Sequence, residues 1–130
     1  MGAMMPSTAI ALSGMNAATV KLNASASNLA NAGDTSRVGG PPGYSPLSVQ
    51  NSATPGGGVT AVATTMAPGQ MLAFDPTSVM ANPSGLVDTP EIDPVNEISN
   101  QIAAGHAFAF SLEALQVVDE EQQTLLDIKT

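Results

Sequence analysis

Along residues 8–31, Leu12, Met15, Thr19, Leu22, Ala26 and Leu29 follow one another at intervals of 3, 4, 3, 4 and 3 residues, and all but Thr19 are apolar. That interval keeps one side of an α-helix turned towards a partner over its whole length, so it predicts a helix that packs lengthwise against another. Ala11, Ala18 and Ser25 flank the seam, and side chains this small let a neighbouring helix come close, widening the contact beyond a two-stranded coiled coil. Gly14, Asn16, Asn23 and Asn28 lower the intrinsic helix propensity of the same segment. Packing has to stabilise what propensity does not, and alone this helix would fray.

A stop follows at Asn31-Ala32-Gly33, where a glycine just past a helix tolerates left-handed backbone. The composition then changes, with Gly39-Gly40-Pro41-Pro42-Gly43, Pro55-Gly56-Gly57-Gly58 and Pro68-Gly69 interrupting short β-capable stretches. Residues 44–49 and 59–66 read as strands, the second alternating Val59, Ala61 and Ala63 with Thr60, Val62 and Thr64. The Gly-rich turn between them makes an antiparallel hairpin, which is marginal in water unless it leans on something else.

Turns at Asp75-Pro76 and Asn82-Pro83-Ser84-Gly85 lead through an extended segment, 86–91, towards a second helix over 93–128. Asp93 suits its cap, Pro94 its first position, and Glu97 the positive end of its dipole. Ile98, Ile102, Ala109 and Leu112 line one face, Gly105 makes a gap in it, and Leu115, Val118, Leu125 and Leu126 continue the stripe. The expected fold is therefore mainly α: long N- and C-terminal helices packed as a coiled-coil-like pair, joined by a Gly/Pro-rich β-hairpin and linker over residues 33–91. Residues 5–130 form one domain on this reading, and Met1-Gly2-Ala3-Met4 ahead of a second methionine reads as a cloning remnant.

Composition sets the function classes. With no Trp, one Tyr and three Phe, and with Ala prominent among the 43% apolar residues, little area is available for a core at about 25 cal/mol per Å². Neighbouring molecules would supply the missing burial. Three basic residues against eleven acidic give a net charge of −8, and Lys21, Arg37 and Lys129 are too few to hold nucleic acid or an anionic membrane surface. The lack of Cys removes disulfides, thiolate nucleophiles and thiolate metal sites. The start lacks the pattern of a cleaved secretory signal, and no run nears the ~18 apolar residues of a membrane helix.

Nothing in the sequence assembles a reactive site. His106, the sole histidine, has no acidic residue one helical turn away to orient it as a base, and reads as a packing or surface residue. Asp119-Glu120-Glu121 fan out around a helix and lack the spacing of a calcium loop, while Asp88, Glu91 and Asp93 are explained by capping and the helix dipole. Gly56-Gly57-Gly58 has neither the lysine nor the strand-to-helix transition of a phosphate loop. No catalytic residue, cofactor, metal or small-molecule substrate is expected.

Five stretches carry a further resemblance. Ala11-Leu12-Ser13-Gly14-Met15-Asn16-Ala17 and Ala24-Ser25-Ala26-Ser27-Asn28-Leu29-Ala30-Asn31-Ala32 resemble the N-terminal signature of the bacterial flagellar rod and hook family. Asn82-Pro83-Ser84-Gly85-Leu86-Val87, Pro90-Glu91-Ile92-Asp93-Pro94-Val95-Asn96-Glu97 and Leu125-Leu126-Asp127-Ile128-Lys129 are similar to the linker, helix start and C-terminus of its proximal rod members. The resemblance implies a non-enzymatic subunit of the periplasm-spanning motor drive shaft, exported by the flagellar type III apparatus without a cleaved signal peptide. It implies partners among the other rod proteins, basal-body components and further copies of the chain.

The family's terminal helices pack within and between subunits. The assembly interface implied here comprises Leu12, Met15, Leu22, Ala26, Asn28, Leu29 and Asn31 on the first helix, with Ile98, Ile102, Leu112, Leu115 and Leu125 on the second. His106, Phe108 and Ser111 stand where the family commonly has a basic residue, Tyr and Asn, and Asp119 where a Lys is usual. Such changes alter which neighbours a helix accepts, so a specialised paralogue fits the residues as well as the main rod protein does. An acidic helical adaptor, or an interaction protein of a secretion apparatus that does not polymerise, is the alternative.

Overall fold

The computed structural model describes residues 6–129, so the cloning remnant read at 1–4 lies outside the described residues. Two long helices carry the fold, α1 (Ser7–Ala30) and α2 (Pro94–Lys129), and between them lie β1 (Leu47–Ala53), β2 (Val59–Thr65), β3 (Gln70–Phe74) and β4 (Leu86–Pro90). The helices run antiparallel. Gly14 sits against Ser111, while towards the other end Ser25 and Asn28 meet Glu97.

The ends of the helices follow local chemistry. Asp93 caps α2 through a 3.0 Å bond accepted from the Val95 amide, and the Glu97 amide reaches the Asp93 carbonyl at 3.0 Å. α1 ends differently from the glycine stop expected of Gly33. Among the described residues left-handed backbone is confined to Gly39, Gly56, Gly57, Gly58 and Gly85, and the last turn is closed by Asn31, whose Nδ2 donates to the Ser27 carbonyl at 2.8 Å. The Asn31 backbone amide reaches the same carbonyl at 3.1 Å, so backbone and side chain of one residue close the turn together.

The strands form two separate antiparallel pairs. β1 and β2 pair from Leu47 opposite Thr65 to Ala53 opposite Val59 around the turn containing Gly56, Gly57 and Gly58. β1 starts at Leu47 and not at the expected 44, because Pro46 has no amide to donate; its carbonyl still accepts from Met66 at 2.8 Å. β3 and β4 pair from Gln70 opposite Pro90 to Phe74 opposite Leu86. The sequence shows β4 only as an extended segment and does not show β3, whose partner lies across the long return of residues 75–85. A single bridge to Ser36 covers the other side of β4 at Asp88.

The helix pair forms, but not through the seam. α1 turns Ala11, Gly14, Ala18, Ser25 and Asn28 towards α2, which answers with Glu97, Ala104 and Ser111 and with half-buried Phe108, Leu115 and Val118. Leu115 and Val118 belong to the stripe expected on α2, whereas the other positions lie one residue before the expected stripes of both helices. Close approach is the reason: a Cβ on Gly14 would stand 3.5 Å from the Cβ of Ser111 and against its hydroxyl. Leu12 or Met15 at that contact would hold the backbones apart.

Advancing one residue rotates a position by about 100° around a helix, and in an antiparallel pair that rotation carries both stripes to the same side. The opposite side of α1, at Ser13, Ala17 and Val20, is covered by the start of β2, where the Val59 amide donates to Ser13 Oγ at 3.1 Å. One flank of the pair is thus roofed by the hairpin, and the large apolar side chains occupy the other.

Candidate assembly surface

Asn28 organises the end of the helix pair furthest from the chain termini. It is 3% exposed, and its side chain makes four hydrogen bonds. Nδ2 donates to the Leu47 carbonyl at 2.9 Å and to Glu97 Oε1 at 3.2 Å, while Oδ1 accepts from the Leu47 amide and the Tyr44 hydroxyl, both at 2.8 Å. The amide acts on Leu47 as a neighbouring strand would, meeting both its N–H and its C=O. Ser25 adds a 2.8 Å bond to the Glu97 carbonyl. Three elements are locked together at one residue, and every polar atom of Asn28 is satisfied.

This placement differs from the assembly position expected for Asn28, because its side chain is used within the chain. Asn31 likewise bonds its own helix. Sequence reasoning missed Tyr44 and Glu97 as the partners of Asn28. Tyr44, the only Tyr, followed by a strand was the available signal, but nothing in linear spacing joins residues 16 positions apart.

The remaining expected residues, except Leu115 and Leu125, lie on one flank of the helix pair. Leu12 and Ala26 are exposed and Met15, Leu22 and Leu29 half-buried on α1, while Ile98, Ile102 and Leu112 are exposed on the same flank of α2, Ile102 by 58%. Gly105 lies among them with nothing within 4 Å of the place a Cβ would occupy. Leu115 is half-buried towards α1 and stands apart from this surface. Leu125 belongs to a different region: among the described residues α1 begins at Ser7 and no helix lies beside α2 beyond Val118, and Leu125, Leu126 and Ile128 are exposed there. Large apolar side chains left in water over two neighbouring helices are the kind of surface a partner can cover.

No reactive constellation competes with that reading. His106 is exposed and stacks on Phe110, with ring centroids 6.2 Å apart at 22°. Among the described residues no three His, Asp or Glu side chains stand close enough to hold a metal ion, and no helix is long and apolar enough to cross a membrane. A groove of about 620 Å³ between the start of α1 and α2 is lined among the described residues by side chains such as Ile10, Val59, Phe110 and Val118, none of them titratable.

No family model matches the chain. Curated relatives do. Over 115 residues it is 35% identical to the flagellar basal-body rod protein FlgC of Salmonella typhimurium, covering 84% of this chain and 85% of the relative. The same protein of Escherichia coli O157:H7 is also 35% identical over the same shares. The FlgC of Buchnera aphidicola is 32% identical, over 82% of this chain and 84% of the relative. Identity at this level over nearly the full length of each relative places the chain, with its antiparallel terminal helices and outward apolar flank, in the FlgC family of flagellar basal-body rod proteins.

Proposed function

We propose that this chain builds the proximal part of the flagellar rod by docking the outward apolar flank of its terminal helices onto neighbouring subunits. Membership of the rod family makes the chain a structural component of the flagellar basal body and not an enzyme. The observation that carries the proposal is the position of Leu12, Ile98 and Ile102, large apolar side chains that the helix pair leaves exposed on that flank. Burying them against other rod proteins recovers the area that the Ala- and Gly-lined inner contact does not provide. Heterologous packing of this kind extends into a tube because no twofold closes it.

On this reading the rod passes through the periplasm, the chain reaches it by the flagellar export route without a cleaved signal peptide, and residues 5–130 act as one rod-type unit. Leu12, Met15, Leu22, Leu29, Ile98, Ile102 and Leu112 contact neighbours laterally. Leu125, beyond the end of α1, contacts the next subunit along the axis.

Basal bodies isolated from a strain whose only copy carries Ile102→Asp test this. The rod is expected to be missing beyond the innermost rings while the purified variant keeps its helical circular dichroism. Complete rods containing Ile102→Asp would overturn the proposal and return the chain to the adaptor reading.

A further inference from the structure

We propose that the outer edge of β3 is a homotypic strand-pairing site, where a second copy of the chain lies antiparallel with Leu72 opposite Leu72. The case starts from the ladder. In an antiparallel pair, successive residues point their N–H and C=O alternately towards and away from the partner. The Asp75 amide bonds the Gly85 carbonyl, and Asp88 on β4 turns away to exchange two bonds with Ser36, at 2.8 and 2.9 Å. With the register fixed as Leu72 opposite Asp88, the ladder therefore uses Met71 and Ala73 on β3 and turns the backbone of Gln70, Leu72 and Phe74 outwards. Among the described residues no strand pairs with that edge.

The side chains agree with the backbone. Leu72 is 59% and Phe74 73% exposed, and both stand on one face of the sheet because they are two residues apart. An edge that is apolar and free of charge or proline is a template for another strand, and natural edges are normally guarded by Lys, Pro or a bulge. Gln70-Met71-Leu72-Ala73-Phe74 has no guard inside it; Pro68 and Pro76 only limit its length.

Three features select a second copy as the occupant. The outward residues are symmetric about Leu72, so antiparallel pairing sets Leu72 against Leu72 and Gln70 against Phe74, each a pair able to exchange hydrogen bonds. At a net charge of −8 two copies repel over most of their surface, yet β3 carries no charge, and Asp75 falls opposite Gly69 of the second copy. The two Asp88 side chains end about 14 Å apart across three strand spacings, beyond the ~8 Å screening length at physiological salt. The product is a four-stranded sheet, and two-stranded sheets are marginal alone. A twofold contact closes on itself, so it makes a dimer and is separate from the rod contacts of the helical flank.

Leu72→Pro isolates this edge, because the amide it removes points outwards and the β3–β4 ladder keeps its bonds. The full chain, with and without Ile102→Asp to suppress helix-flank assembly, is followed by sedimentation equilibrium and by hydrogen exchange between micromolar and millimolar concentration. The expected result is a monomer–dimer equilibrium in the Ile102→Asp chain, with the Leu72 and Phe74 amides slowing about tenfold or more as the dimer forms. Adding Leu72→Pro, or Leu72→Lys as a milder guard, should give monomers with fast exchange at Phe74. Dimers that persist in both variants, exchange that does not depend on concentration, or no dimer at millimolar chain would each overturn the proposal.

Discussion

The inner and outer faces of the same two helices are built from opposite materials. The inner face, from Ala11 to Asn28 on α1 and from Glu97 to Ser111 on α2, is made largely of Ala, Gly and Ser, with Ala104 only 2% exposed. The outer face carries Leu12, Met15, Leu22, Ile98 and Ile102. Each face holds a glycine: Gly14 is pressed against Ser111, whereas Gly105 meets nothing within 4 Å. Small side chains gain little from the hydrophobic effect but permit backbone contact, so the chain holds its hairpin shape by closeness and by the Asn28 network. The larger side chains, each able to gain about 1.5–3 kcal/mol on burial, remain available to other molecules.

The sharpest way to break this comparison is at Asn28. Asn28→Ala leaves the Leu47 amide and carbonyl and the Glu97 carboxylate each without a partner, and leaves the Tyr44 hydroxyl only Ser27. At about 1–3 kcal/mol for a buried group left unsatisfied, a loss of roughly 3 kcal/mol or more is expected in urea unfolding. A variant as stable as the parent would mean that the inner face does not depend on this lock.

Gly14→Leu comes next. Overpacking a close contact costs about 1–3 kcal/mol, and the melting temperature should fall accordingly. An unchanged melt would show that α1 and α2 can part at Ser111 without loss. The matching change on the other face has the opposite sign: Gly105→Ala fills open space in a helix interior and should stabilise the isolated chain by about 0.5–1 kcal/mol. If Gly105→Ala also prevents rod assembly, a neighbour approaches the backbone at that gap.

The smallest effect on folding belongs to Leu12→Ser, whose side chain is 47% exposed. Its unfolding free energy should stay within about 0.5 kcal/mol of the parent, while incorporation into basal bodies falls. A large loss of stability would place Leu12 in the core of the monomer and erase the distinction between the two faces.

Much of this was legible in the sequence. The interval of 3 and 4 residues marks a long first helix, the Asp93-Pro94 cap places α2 and the Gly56-Gly57-Gly58 turn places β2 to within a residue, while β1 lies three to four residues later than expected. Linear patterning determines that a helix has an apolar stripe because periodicity is a local property. It also carries the family signature around Asn28.

What periodicity cannot say is which stripe meets which partner, and the tertiary structure decided that. One residue of offset separates the stripe that looks like a core from the stripe that packs, because backbone approach at Gly14 and Ser111 favours the smaller side chains. The fate of Asn28 was decided the same way. As a signature residue of an assembling helix it reads as a contact for a neighbour. A buried amide must find its partners inside the fold, and only the return of Leu47, Tyr44 and Glu97 to one point shows where they come from. β3 is the clearest case, since a five-residue strand exists only once β4 is beside it.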